Sequence, residues 1–213
     1  MRAAVRAEIR QGVKRGVDAA CLVLVAPCAW MCALEARGEG ESVFSFWSHV
    51  FALAPGSPGV FVRRAFYRQT LEQCTGNFFV GFGAFFSHRS AVVEDEVYIG
   101  PYAIVGSSRL RRGCLIGSRA GIISGSGLHE LTPAGLREPT DRRRMRQIEI
   151  GEGVWIGEGA LVMADVGRSA TVAAGSVVSS AVIPGVVVAG NSARFVRHLA
   201  VLTSQPEGSA IAL

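Results

Sequence analysis

Hydrophobic positions along this chain follow two different spacings, and the change between them divides it. In residues 1–18, Val5, Ile9, Val13 and Val17 recur every fourth position, with Arg2, Arg6, Arg10 and Lys14 in a parallel basic line. That spacing predicts a basic amphipathic helix. Residues 19–34, AACLVLVAPCAWMCAL, carry no charge and are interrupted by Pro27. The run is shorter than the roughly 20 residues a spanning helix needs, and the proline predicts a kink. Three readings stand side by side: a signal peptide, a buried helical hairpin, and partial insertion into the cytoplasmic leaflet of a membrane with arginines on anionic headgroups. A second apolar cluster, Phe44, Phe46, Trp47, Val50, Phe51 and Leu53, favours surface binding. The segment PGSPG at 55–59 then punctuates the chain, and VFVRRAFYRQTLEQC reads as a helix with Arg63, Arg64 and Arg68 on one side.

From about residue 78 the spacing changes to six. An aliphatic residue, often followed by glycine, recurs at Val93, Ile99-Gly100, Val105-Gly106, Ile116-Gly117 and Ile122. The spacing slips between Val105 and Leu110, resumes at Ile150-Gly151, Ile156-Gly157 and Val162, and slips again before Val166-Gly167, Val172 and Val178. Four positions after many of these stand Val97, Ala103, Ala120, Val154, Ala160, Ala170 and Ser176. Neither the alternation of an ordinary strand nor a sustained helical period is present. Three six-residue units close one triangular turn of a parallel β-helix, with the aliphatic residues inward, small residues at the corners and glycine relieving strain there. Residues 77–123 and 148–191 hold roughly five such coils. A solenoid exposes its terminal rungs, so the N-terminal helices are expected to cap it. The expected organisation is a helical, membrane-associating segment over 1–75, a β-helix over 76–198 with a protruding loop at 124–147, and a tail over 199–213.

Composition refines this picture. The chain has 213 residues, of which 26 are glycine; 49% are hydrophobic and 18% charged. That excludes a disordered chain or a charged coiled coil. The net charge is +5, with Lys14 the lone lysine. Arginine suits phosphate recognition, yet no basic stripe with stacking aromatics and no zinc-finger spacing is present, so nucleic acid is not an expected partner. Cys21, Cys28, Cys32, Cys74 and Cys114 are odd in number and three lie in one apolar stretch, which predicts reduced thiols in a reducing compartment.

The repeat region resembles the hexapeptide-repeat acyltransferases, over residues 77 to about 197. The run IGEGVWIGEGALVMADV, followed by AAGSVV and AGNSAR, is similar to the branch of galactoside, maltose, serine and sugar O-acetyltransferases. SPGVFVRRAFYRQTL with FFVGFGAFFSH further resembles bacterial envelope and exopolysaccharide acetyltransferases. The resemblance implies an all-β fold, a left-handed parallel β-helix of about five coils with an N-terminal helical appendage and one protruding loop. It also implies a homotrimer with active sites between neighbouring β-helices, acetyl-CoA as donor and direct transfer in a ternary complex. The expected activity is O-acetylation of a sugar or glycan hydroxyl in polysaccharide or cell-envelope synthesis. The alternatives are a serine or small-metabolite O-acetyltransferase, or a non-catalytic β-helix scaffold. The expected location is cytoplasmic, peripheral on the inner face of the membrane.

Site residues follow from the same resemblance. The family carries its catalytic histidine on a loop at the break in the repeat, which here places His129, followed by Glu130 as in the galactoside branch. Imidazole titrates near neutrality and can take the acceptor's proton. The galactoside pattern, matched residue by residue, puts CoA contacts at Glu158, Ala174, Ser179, Arg194 and Arg197. For Trp155, contact with CoA and packing on the coil wall both stand. His88 and Glu130 are candidate acceptor contacts, a structural hydrogen bond being the other reading of His88. The usual GNPAR reads Gly190-Asn191-Ser192-Ala193-Arg194, which suggests a looser terminal turn. The family's ANFN is replaced by Val80-Gly81-Phe82-Gly83, which argues against a simple galactoside. Arg142, Arg143, Arg144 and Arg146 are read either as partners of an acidic acceptor or as solvation of the loop. Only His88 and His129 lie in the repeat, too few for a three-histidine zinc site, and no metal is expected.

Overall fold

The computed structural model describes residues 2–38, 40–124 and 145–199. Three helices precede a solenoid: α1 (Arg2–Ala36), α2 (Ser42–Ala52) and α3 (Gly56–Thr70). The solenoid has three parallel sheets. Sheet A contains β1 (Gln73–Cys74), β4 (Val92–Val93), β7 (Ser108–Leu110) and β10 (Ile148–Ile150). Sheet B contains β2 (Phe79–Val80), β5 (Tyr98–Ile99), β8 (Leu115–Ile116), β11 (Trp155–Ile156), β13 (Thr171–Val172) and β15 (Val186–Ala189), closed by the antiparallel β16 (Arg194–His198). Sheet C contains β3 (Phe85–Phe86), β6 (Ile104–Val105), β9 (Gly121–Ile122), β12 (Leu161–Val162) and β14 (Val177–Val178). The chain visits the sheets in the order A, B, C, and this is the expected left-handed β-helix of about five coils.

The six-residue spacing becomes three vertical columns. Val80, Ile99, Ile116, Ile156, Val172 and Val188 stack inside sheet B. Phe86, Val105, Ile122, Val162 and Val178 stack inside sheet C. Cys74, Val93, Leu110 and Ile150 do so inside sheet A, extended by bridges to Val166 and Val182. Nearly all of these side chains are fully buried, and each strand bonds to its neighbours above and below.

The glycines after the aliphatic residues serve a different purpose from the one the repeat suggested. Their backbones are ordinary, but a β-carbon on Gly157 would lie 2.4 Å from the Ala174 nitrogen, and one on Gly117 would lie 2.7 Å from the Glu158 nitrogen. They are there because adjacent coils touch backbone to backbone. The left-handed corner comes two residues later, at positions such as Gly159 (φ 64°), where Glu96, Tyr102, Arg119 and Ser169 take the equivalent conformation.

The N-terminal helices cap the first coil, as expected of a solenoid with an exposed terminal rung. Phe44 of α2, Phe66 and Tyr67 of α3, and Phe86 of the first coil form a buried ring cluster with centroids 4.7 to 5.9 Å apart. The Tyr67 hydroxyl hydrogen-bonds the Ser48 hydroxyl at 2.8 Å and accepts from the Phe86 N–H. Burial pushes the phenol up to about 12. Arg63 and Arg64 of α3 are both buried. The Arg63 guanidinium donates to the carbonyls of Val80, Phe51, Ala52 and Ala54, joining α2, α3 and the first coil. Arg64 pairs with Asp18 of α1. The α1 helix runs through Pro27 without interruption, and among its described side chains, those of residues 12–36, Val25, Ala29 and Cys32 are the buried ones, so this stretch is not a buried hairpin.

Candidate active site

The edges and faces of the prism locate each candidate residue. Glu158 follows β11 and Ala174 follows β13, so both lie on the edge between sheets B and C. They stack there with Ser118: the Gly159 N–H donates to the Ser118 carbonyl, and the Gly175 N–H to that of Glu158. Both side chains are exposed.

Trp155 stands on the outer face of sheet B with 56% of its surface exposed, so it is not packed into the coil wall of this chain. Along that face it is in register with Thr171, Val187 and Arg197. Arg194 pairs with Ala189 at the same end of the sheet. Both arginines are exposed, and among the described residues their guanidinium groups meet only the carbonyls of Ala193 and His198. They are free to bind an anion as charged, multiple donors. The turn before them is pinned rather than loose. The Gly190 N–H donates to Ser176 Oγ at 3.1 Å, the Val177 N–H to the Gly190 carbonyl at 2.9 Å, and the Ala193 N–H to the Val177 carbonyl at 2.7 Å.

Ser179 is separated from this group. It follows β14 and therefore sits on the edge between sheets C and A. The 124–147 loop leaves the solenoid on that same edge, after β9. At its base the Ser107 N–H is held by the hydroxyl of the buried Ser124. His129, Glu130, Arg142, Arg143 and Arg144 lie outside the described residues. Arg146 is described, and it pairs with Asp165.

His88 follows β3 on this same edge and is paired with a side chain from the segment between α1 and α2. Its Nδ1 is 2.9 Å from Glu41 Oε2, and the other Glu41 oxygen accepts the Arg89 N–H at 3.0 Å. The structural hydrogen bond of His88 is therefore present. Cys114 is fully buried, and burial pushes its thiol up to about 12. No thiolate forms there near neutral pH, so Cys114 is not a nucleophile. Among the described residues no group of acidic, histidine or cysteine side chains is arranged to hold a metal ion.

The repeat did not disclose a cleft of about 400 Å³ at the foot of sheet B. Phe61, Phe79, Tyr98, Lys14, Arg64 and Asn77 line it. The Phe79 and Tyr98 rings stack at 4.8 Å, and Asn77 Oδ1 accepts from Arg64 at 2.7 Å and from Lys14 at 3.2 Å. The signal was present in the sequence. Phe79 and Tyr98 immediately precede the inward Val80 and Ile99 of successive coils, which puts two aromatics side by side on the outer face.

A comparison with family models finds no match for the chain, and one with curated proteins finds none. Solved structures do match its fold. Galactoside acetyltransferase in complex with coenzyme A superposes with a TM-score of 0.57 at 17% identity, over 75% of this chain and 80% of that one. A hexapeptide-repeat-containing acetyltransferase from Vibrio cholerae superposes with a TM-score of 0.49 at 21% identity, over 73% of this chain and 89% of that one. The fold shared with the galactoside acetyltransferase is the left-handed parallel β-helix.

Proposed function

We propose that the chain is an acetyl-CoA-dependent O-acetyltransferase of the hexapeptide-repeat superfamily acting on a sugar hydroxyl in polysaccharide or cell-envelope synthesis. The observation that carries this reading is the fold shared with a CoA-bound galactoside acetyltransferase, joined to exposed side chains at the positions matching its pattern. Pantetheine would lie against the peptide groups beside Glu158 and Ala174, with the nucleotide phosphates on Arg194 and Arg197. The stacked Phe79 and Tyr98 rings, with Asn77 beside them, suit one face and one edge of a sugar.

In the reaction, the acceptor oxygen attacks the thioester carbonyl carbon while His129 takes the hydroxyl proton. The carbon–sulfur bond then breaks, and the imidazolium returns the proton to the departing CoA thiolate. Ser179 and the base of the histidine loop share one edge, whereas Glu158 and Ala174 share another. A homotrimer, in which an edge of one copy faces an edge of the next, brings the two sets together. The support for the trimer is this division of the site residues.

The test is calorimetric titration of the full chain with CoA, followed by mass-spectrometric detection of an acetylated glycan. Saturable CoA binding, weakened about tenfold or more by Arg194→Ala, is the expected result. A protein that ignores CoA at millimolar concentration is a scaffold, and the reading fails.

A further inference from the structure

The solenoid leaves unexplained a helix that is long and apolar enough to cross a membrane. An 18-residue window within Gly12–Ala36 of α1 has a mean hydropathy of 2.0. Its exposed positions include Ala20, Val23, Leu24, Pro27, Trp30, Met31 and Leu34, a spacing of three and four that draws one uncharged stripe along the helix. Val23, Leu24 and Trp30 expose 76, 66 and 65% of their surface. Single exposed apolar side chains are ordinary, but a continuous stripe of this length marks a binding surface.

The opposite face is tied to the protein along its length. Asp18 pairs with Arg64 of α3. The Leu22 carbonyl accepts from Gln69 Nε2 at 2.9 Å, and the Cys32 carbonyl accepts from Arg89 Nη1 at 2.9 Å. Glu35 Oε2 accepts the N–H groups of Val43 and Phe44 at the start of α2, at 2.8 and 3.4 Å. A helix crossing a bilayer would have to give up these ties and carry Asp18 and Glu35 away from their partners, which is costly.

We infer that α1 lies flat on an anionic phospholipid surface with the Ala20–Leu34 stripe in the acyl boundary, and does not span it. Charge selects this occupant over a second copy of the chain or a soluble partner. The segment before the stripe carries Arg2, Arg6, Arg10, Lys14 and Arg15 against Glu8 and the already paired Asp18, and Arg37 follows the stripe. An apolar stripe flanked by cations matches acyl chains bordered by phosphate headgroups. Trp30 within the stripe fits the interfacial preference of indole. This inference is independent of the acetyltransferase reading.

The test uses the purified full chain with vesicles of phosphatidylglycerol and phosphatidylcholine, and with phosphatidylcholine alone. Sedimentation with the anionic vesicles, weakened by high salt and released by alkaline carbonate, is expected. The double variant L24E/W30E should bind at least ~30-fold more weakly, because it removes two large apolar groups and adds two charges facing the headgroups. Should that variant fail to fold, Trp30→Phe decides, by abolishing the quenching of tryptophan fluorescence by brominated acyl chains. Resistance to carbonate overturns the flat orientation. Quenching that persists in Trp30→Phe overturns the placement of the Ala20–Leu34 stripe in the acyl boundary. Equal vesicle binding by the folded double variant, or a wild-type chain that ignores vesicles while the double variant changes oligomeric size, overturns the lipid assignment.

Discussion

Glycine 157 and glycine 159 are two positions apart and play different parts. A β-carbon at Gly157 meets the backbone of the coil above, which cannot rotate away. At Gly159 space is open and only a left-handed φ of 64° is required. Gly157→Ala should therefore cost about 3 kcal/mol or more through overpacking, whereas Gly159→Ala costs about 1 kcal/mol for the left-handed conformation. Urea unfolding of the two variants measures the difference, and equal losses would contradict it. For the proposed chemistry, His129→Ala should lower turnover by about 100-fold or more, from the usual contribution of a general base, with CoA affinity unchanged in the same calorimetric titration. Arg63 shows what a sequence hides at this scale. The helical pattern gives the side of α3 on which the arginine lies but not what receives it, because the four carbonyls come from residues outside that helix.

Between coils, the outer side of sheet A carries a ladder of charges. Arg111 donates to Glu94 at 2.8 Å on the coil below and to Glu149 at 3.0 Å on the coil above. Burial pushes the Glu94 carboxyl up, but the hydrogen bonds from Arg111 and from the Arg112 N–H outweigh it, and the group ends below its usual 4.5. Its folded-state value is thus lower than its unfolded one. The stabilisation is complete above the unfolded value and fades as pH falls through the folded one. Thermal unfolding followed from pH 6 to pH 3 should show a smaller acid loss in Glu94→Gln than in the wild type. The core columns of these coils were legible in the sequence, because each inward aliphatic residue answers to one rung. The two duties of glycine were not, since close approach and left-handed φ both select the same residue. The split of the candidate residues between two edges was within reach: Ala174 follows the inward Val172 and Ser179 follows Val178, the inward residue one six-residue unit later, hence one corner further on.

For the whole molecule, the proposed trimer predicts a single species near three times 22.5 kDa in sedimentation equilibrium, in detergent where α1 requires it. A monomer that retains acetyl transfer would show that one chain completes the site. The helices, solenoid and tie points of α1 form one packed body. Yet its composition revealed only that an apolar N-terminal run existed, and not which side of the run was already occupied. That side is settled by Arg64, Gln69 and Arg89, all outside the run.

The break in the repeat has a consequence for how such a molecule can change over time. Leu115 and Ile116 pair directly with Trp155 and Ile156, and Gly121 and Ile122 with Leu161 and Val162, as though nothing intervened. The coils on either side are spliced in register, and the intervening segment hangs from a single corner. Doubling the length of such a loop adds only about 0.6 kcal/mol of closure entropy. The corner after β9 is accordingly a place where lineages can exchange, lengthen or rewrite a segment while the stack beneath it remains unaltered.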